Sequence, residues 1–575
     1  MFFLFSLLHS FLFFAFCFSD FAFWCMCTLI YVQPSTIRAL KFLPQKSKPS
    51  APIIIKMVNR ADFKSVLPFL PPLKSLTSGS LAWPNPQVTA ALELVSQGPS
   101  RSRVDSGERL YAAISRVRGS LPLSAKDRLA KSTDKGFAKL FDELLPKEES
   151  RRWLENVAPK MADLVLRLPA LLESHYRDCD NVVPGVSTGL RLLEPQQSGI
   201  VFLSQELIAA LLSCSFFCLF PTVNRKAKCM RAINMDQIFS SLHDSYHTKQ
   251  ENKMKCITHY FERICSSTPS NFVSFERKVL SLEQNPSVVP LPSPEFWANS
   301  VTPLCKFKVF PTGKIEHHPP GASEVDFADE FIGGLVLTKG CVQEEIRFMM
   351  NPELIASMLF MPSMSENEAI EMVGAERFSN YRGYNASFQY TGDYIDRRGV
   401  DALQRRMTRV VAIDALRKAG TKQYQSQFLL REVNKAFCGF LDHTEYLQQQ
   451  VHESNVGVAT GNWGCGIFGG DAQLKSMIQW VSASQASIPF VSYYTFGLDK
   501  VQNLDQVVEW IVSQKWTVGD LWKKLVDYGA QREGRSKIGF FSYLMPSLKQ
   551  VSATSSKRSR SGSSAEENSR GRGRK

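Results

Sequence analysis

Residues 456–497 read VGVATGNWGCGIFGGDAQLKSMIQWVSASQASIPFVSYYTFG. The stretch falls into four parts. An apolar run (456–460) leads into a loop with five glycines in ten residues (461–470). A helical pattern then opens at Asp471, and a second apolar, β-branched and aromatic run follows at 488–496. Strand, glycine-rich turn, helix, strand is a unit of an α/β sheet covered by helices on both faces. In open sheets of this kind, ligands sit beyond the carboxyl ends of the strands. A glycine-rich turn there offers backbone N–H groups to phosphate oxygens, and a following helix N-terminus adds a favourable field. From these residues alone, a purely structural loop remains the alternative.

Working outward, further strand-like runs occur at 303–310, 334–337 and 409–415. Helical runs separate them: NPELIASMLF (351–360), KQYQSQFLLREVNKAFCGFL (422–441) and DAQLKSMIQWVSAS (471–484). The proline-rich segment 285–294 marks a change of character. Before it, from about residue 61 to 284, apolar residues recur at spacings of three and four, as in ALELVSQ around Leu94, the run from Trp153 to Tyr176 and SQELIAALLSCSFFCLF from Ser204. That spacing predicts amphipathic helices. No glycine-rich loop or acid cluster occurs there, so this part reads as scaffold. The expected organisation is a doubtful leader (1–56), a helical accessory region (57–290), an α/β domain (291–545) and a basic Ser/Arg/Gly tail (546–575).

At 575 residues, with 44% hydrophobic and 21% charged side chains, the chain has the composition of an ordinary globular protein of two or more domains. Its formal net charge is +14. The last 25 residues hold seven Lys/Arg against two Glu, so they supply +5 of it. The remainder is thinly spread and suits a polyanionic substrate without requiring one. The 13 cysteines include no C-x-x-C pair, which points away from a zinc ribbon or disulfide framework and towards a reduced, intracellular protein. The first 32 residues carry ten Phe before position 25 and a single charge, Asp20. No Lys or Arg precedes the apolar run, so Met57 is read as the functional start in preference to a targeting segment. The tail cannot bury enough apolar surface to fold, and its clusters at Lys557–Arg560 and Arg570–Lys575 suggest nuclear entry, with nucleus and cytoplasm as the expected locations.

The second informative stretch, residues 325–348, reads VDFADEFIGGLVLTKGCVQEEIRF. Gln343-Glu344-Glu345 opens a helical pattern, and acids in a first turn suit the helix dipole without further purpose. Gly333-Gly334 just upstream and Asp326 in an apolar, strand-like setting add a second meaning. Cleavage of a glycosidic bond needs a protonated carboxyl beside the leaving oxygen and negative charge near the developing oxocarbenium ion. Neighbouring carboxylates raise each other's proton affinity, so one can stay protonated near neutral pH.

Together these segments strongly resemble the poly(ADP-ribose) glycohydrolase family. The likeness rests on VDFA, the glycine pair, QEE and ATGNWGCGxFGG, with NPELI, YxGY, VAIDAL, NKAFCGF and TFG in order across roughly residues 303–497. The part from Met57 resembles the plant form. The resemblance implies a macrodomain, a mixed sheet sandwiched by helices, binding the terminal ADP-ribose of a polymer. It assigns Glu345 as general acid, protonating the leaving ribose oxygen and then activating water. Glu344 would hold the scissile ribose, Asp326 would support the catalytic loop, and Gln343 completes the signature. Asn462, Gly464, Cys465, Gly466 and Phe468 match the diphosphate cradle. Tyr384 and Phe496 match aromatic walls, and Ile315-Glu316 matches a pair that reads adenine. Gly333 and Gly334 line the ribose.

Two departures stand out. Many members have a third glycine where this chain has Leu335, and an asparagine where it has Asp329. The implied activity is hydrolysis of ribose–ribose bonds in poly(ADP-ribose), on polymer and poly(ADP-ribosyl)ated proteins, with no cofactor, no metal, no nucleic-acid readout and no membrane partner. Competing readings are a catalytically weak polymer-binding module, favoured by Leu335 and Asp329, and a nucleotide-binding scaffold, which leaves the paired Glu unexplained. His243, His247, Cys256 and His259 have a spacing that suggests a metal, but their charged helical segment reads as a solvated helix face.

Overall fold

A computed structural model of the protein describes residues 57, 59–77, 79–267, 269–283, 288–318, 321–442, 456–533 and 538–546. The expectations for the leader before Met57 and for the tail beyond residue 546 lie outside the described residues.

Eight strands form one mixed sheet: β1 (Gly199–Ser204), β2 (Phe272–Val279), β3 (Lys306–Phe310), β4 (Ala322–Asp326), β5 (Glu368–Val373), β6 (Arg409–Ala412), β7 (Gly457–Gly461) and β8 (Phe490–Tyr494). Their order is β1-β2-β5-β6-β4-β7-β8-β3. The first three interfaces are antiparallel. The remaining four, from β6 across to β3, are parallel. All five strands of the parallel block therefore end at one edge, where Asp326, Gly461 and Tyr494 terminate neighbouring strands.

Alternate side chains serve two cores, as the two-residue strand period requires. Ile370, Met372 and Val410 join the apolar cluster built mainly by the helices of the amino-terminal half. Ala369, Val411, Val325, Val458 and Val491 face the other cluster, with the helices Ser426–Phe440, Ala472–Gln485, Leu504–Ser513 and Val518–Glu533. The sheet is a sandwich filling.

Two expectations need correction, and a third gains detail. Residues 334–337 form no strand. Positive φ at Gly333 and Gly334 turns the chain, and Val336 and Thr338 donate back to Gly333 and Leu335 at 3.0 Å, so no extended edge is left to pair. NPELI opens a 3₁₀ helix, Pro352–Leu359, in place of an α-helix. The amino-terminal region is mainly helical but also contributes β1 and β2 to the sheet. Strands β2 and β5 lack a clean apolar signal because they bury charge. Arg277 pairs with Glu368 and Lys278 with Glu371, and Arg409 meets Glu371 at 2.8 Å. Buried ions of this kind persist only when paired. No described helix is long and apolar enough to cross a membrane, and each of the ten described cysteines is free.

Candidate active site

The parallel block delivers the acids. Asp326 ends β4, and the helix Gln343–Met350 starts close beside it. Gln343 ties the two together: Phe327 N–H donates to its Oε1 at 2.8 Å, and its amide donates to the Val325 carbonyl at 3.1 Å. The loop between strand and helix folds over the next two residues. Glu344 accepts from Asp329 N–H (2.9 Å) and Gly333 N–H (2.8 Å). Glu345 accepts from Leu335 N–H (2.9 Å) and Val342 N–H (2.8 Å), the latter as third-position acids do at helix starts. Both carboxylates are buried.

Gly334 is where they converge. It holds φ of +52°, and a Cβ there would sit 2.4 Å from Glu344 Oε2 and 2.8 Å from Glu345 Oε1. Burial, then the nearby Asp326 and Glu345 charges, push Glu344 well above the usual carboxylate range. Asp326 is raised to about 8 by burial, opposed by Arg347 and reinforced by Glu345. Its carboxyl oxygens make no hydrogen bond among the described residues. The loop's bonds come from Gln343 and the two glutamates, while Asp326 stands at the strand end beside them.

A stability prediction follows from Asp326. Its folded value lies near 8 and its ordinary value is 3.8. Between those limits the folded state binds more protons than the unfolded state. Stability from this group is therefore fully present below about pH 4 and declines as pH rises through 8. Asp326→Asn removes that contribution to the slope. Thermal melts at pH 5 and pH 8 should show a smaller loss of Tm on raising the pH for Asp326→Asn than for the native chain, and an equal loss would contradict the assignment.

The two departures are accommodated locally. Positive φ falls on Gly333 and Gly334 and not on Leu335, so leucine meets no backbone strain there. Its Cβ rests against Gly340, where an added Cβ would lie 2.5 Å from both Leu335 Cβ and Glu345 Oε1. The side chain of Leu335 is half-exposed. Asp329 is clasped by cations: Arg231 from the amino-terminal region donates to it at 3.0 Å, and Arg417 lies 3.8 Å away. Its charge is thus compensated.

The glycine-rich loop follows β7 at the same edge. Asn462 donates to the Thr495 carbonyl (2.8 Å) and accepts from the Tyr493 hydroxyl (3.1 Å), locking the loop to the end of β8. Trp463 is fully buried and donates to the Ile413 carbonyl. Cys465 N–H donates to Asn462 and Gly470 N–H to Gly464, which folds the loop upon itself. Among the described residues, the N–H groups of Gly466, Ile467 and Phe468 donate to no protein acceptor. Successive free N–H groups at a strand end form an anion-binding concavity. Phe468 carries the Arg417 guanidinium over its ring, 5.6 Å from the centroid, and Arg417 also meets Glu330 at 3.0 Å. One arginine thereby links the glycine-rich loop to the acidic loop.

Phe496 lies just past β8, half-exposed, with φ of +52°. Left-handed backbone is uncommon for a bulky residue and concentrates at functional sites. Ile315 is buried in a cluster with Ala459 and Tyr494. Beside it, Glu316 accepts from the Tyr381 hydroxyl at 2.5 Å. Burial alone would raise Glu316, but that hydroxyl, Arg347 and Arg377 outweigh it and hold its carboxyl below the usual range. Tyr384, also half-exposed, follows Tyr381 on the same hairpin. Burial raises its phenol, an effect partly offset by the Gln343 backbone N–H, which places the ring near the acid-bearing helix.

Sequence reasoning missed Arg347, which pairs with Glu324 at 2.7 Å and lies in the field of Asp326. Its signal was a lone cation inside the apolar run IRFMM. The segment with His243, His247, Cys256 and His259 is only in part the solvated face expected, with His243 and His247 exposed. His247 caps the helix Thr248–Ser266, and His259 lies against Asp393 at 2.9 Å. That helix is not a solvated face: Gln250, Asn252, Lys253 and Cys256 are all buried. The acidic loop packs over part of it.

Comparison with known proteins agrees with this geometry. A family model described as "Poly (ADP-ribose) glycohydrolase (PARG), Macro domain fold" matches residues 294–503. A second, for the helical domain of the same family, matches residues 145–277. The chain is 48% identical to poly(ADP-ribose) glycohydrolase 1 of Arabidopsis thaliana, covering 86% of this chain and 98% of that protein. It is 50% identical to the probable poly(ADP-ribose) glycohydrolase 2 of the same organism, over 85% and 99%. A more distant relative, poly(ADP-ribose) glycohydrolase 1 of Caenorhabditis elegans, is 31% identical over 48% of this chain and 35% of that protein. With a macrodomain sheet, a helical domain and paired acids over a glycine turn, the chain belongs to the poly(ADP-ribose) glycohydrolase family.

Proposed function

We propose that the protein hydrolyses the ribose–ribose O-glycosidic bonds of poly(ADP-ribose) and releases ADP-ribose. The observation that carries this reading is the convergence of Glu344 and Glu345 on Gly334, at the sheet edge that also presents the glycine-rich loop. Glu345 protonates the leaving ribose oxygen as the C–O bond breaks. As a carboxylate it then takes a proton from the water that attacks the oxocarbenium centre, which restores the acid. Glu344, whose carboxyl burial and its acidic neighbours push well above the usual range, holds the ribose hydroxyls. The free N–H groups of residues 466–468 receive the diphosphate, and Phe496 and Tyr384 flank the ADP portion. Ile315-Glu316 reads the adenine. Chemistry of this kind runs on carboxyl groups and positioning. The compensated Asp329 and unstrained Leu335 do not favour a binding-only protein. The basic tail supports a nuclear as well as a cytoplasmic location.

Incubating the native chain with labelled polymer tests the proposal: ADP-ribose should accumulate, and bound but uncut polymer would contradict it. Phe496→Ala should weaken ADP-ribose binding about tenfold, in keeping with ~1–3 kcal/mol for base–aromatic stacking. Calorimetric titration with ADP-ribose checks this, and unchanged affinity would place Phe496 outside the ligand's reach.

A further inference from the structure

We propose that Lys253, in the helical region, is a positioning residue for Glu345, an inference that rests on the hydrolase reading above. Lys253 lies on the helix Thr248–Ser266 and is completely buried. Its ammonium donates to the carbonyls of Thr338 (2.9 Å) and Gly340 (2.6 Å). Those carbonyls belong to the short turn that holds the acid. Thr338 and Gly340 N–H groups both donate to the Leu335 carbonyl, at 3.0 and 3.2 Å, closing residues 335–340 into a compact unit. At one end of the unit, Leu335 N–H binds Glu345 Oε1. Just past the other end, Val342 N–H binds Oε2. The ammonium therefore fixes the turn whose flanking N–H groups fix the carboxylate.

A buried ammonium is costly unless its hydrogen bonds are met, and here the acceptors belong to the catalytic loop. Carbonyls left at the end of a turn are natural partners for a cation. The charge also lies in the field of Glu345. Burial lowers the Lys253 amine to about 8, with Cys341, Glu345 and Cys256 favouring its charge and Lys249 opposing it. The consequence is functional coupling: the helical region supplies part of the active site's geometry through one side chain.

Lys253→Met and Lys253→Gln in the full chain test this. Gln keeps a neutral donor, and Met keeps only the apolar stem. The diphosphate loop does not depend on Lys253, so both variants should bind ADP-ribose within about twofold of the native affinity, whereas kcat on polymer should fall about 10–100-fold, the scale expected for sub-ångström to ångström misplacement. In a Glu345→Gln background, the residual single-turnover rate should not fall further, because the lysine acts through that acid. Three results would overturn the proposal: an unchanged kcat, the same fold-loss in the Glu345→Gln background, or loss of ADP-ribose binding in both variants, which would mark a general folding role. If the native chain itself releases no ADP-ribose, it is the hydrolase reading that fails, a result distinct from these three.

Discussion

Gly334→Ala is expected to lower kcat for ADP-ribose release by about 10²-fold or more while the protein stays folded. The added methyl would meet Glu344 Oε2 at 2.4 Å and Glu345 Oε1 at 2.8 Å, well inside contact distance. Both acids are buried and each is held by two backbone N–H groups, so neither can move without breaking those bonds. Something must shift by a good fraction of an ångström, and displacement on the ångström scale costs about 10²-fold in rate. Alanine in left-handed backbone adds roughly 1–2 kcal/mol of strain, which a chain of this size tolerates. Thermal melting together with steady-state kinetics on polymer checks both halves. Native-like kcat would mean that the two carboxylates do not act from where they sit.

Glu345→Gln should cost about 10²–10⁴-fold in kcat, the range for a general acid–base group. The amide has no acidic proton to give the leaving oxygen. It also presents an NH₂ group to one of the two backbone N–H donors now facing Oε1 and Oε2, so one hydrogen bond is lost. Affinity for ADP-ribose should change little, because the diphosphate cradle and the aromatic walls stand on other elements. A fall in kcat without a matching rise in KM separates this acid from a residue that merely binds.

Much of the site was legible in the sequence because it is built from local pieces. The glycine turn, the QEE helix start and the 461–470 loop each carry their chemistry within a few residues, and the fold brings them to one sheet edge. The α/β class was equally readable from the apolar runs of β6, β7 and β8. What sequence could not give were groups placed by distant packing. Lys253, Arg231 and Arg417 reach the catalytic segments from elsewhere in the chain, and each reads alone as an ordinary surface cation. Strands β2 and β5 were hidden for a related reason. Their Glu, Arg and Lys are buried in cross-strand pairs, which erases the apolar signature a strand normally shows. The 334–337 run failed in the opposite sense. It is apolar, yet positive φ at Gly334 and at Gly333 just before it makes it a turn.

Glu345 is the group on which cleavage of a bound polymer depends. Native chain and Glu345→Gln should be placed on the same labelled poly(ADP-ribose), with bound polymer and released ADP-ribose read in parallel. The expected result is equal binding by the two proteins, with monomer released by the native chain and almost none by the variant. Monomer release by Glu345→Gln at the native rate, or polymer bound but uncut by the native chain, would contradict it.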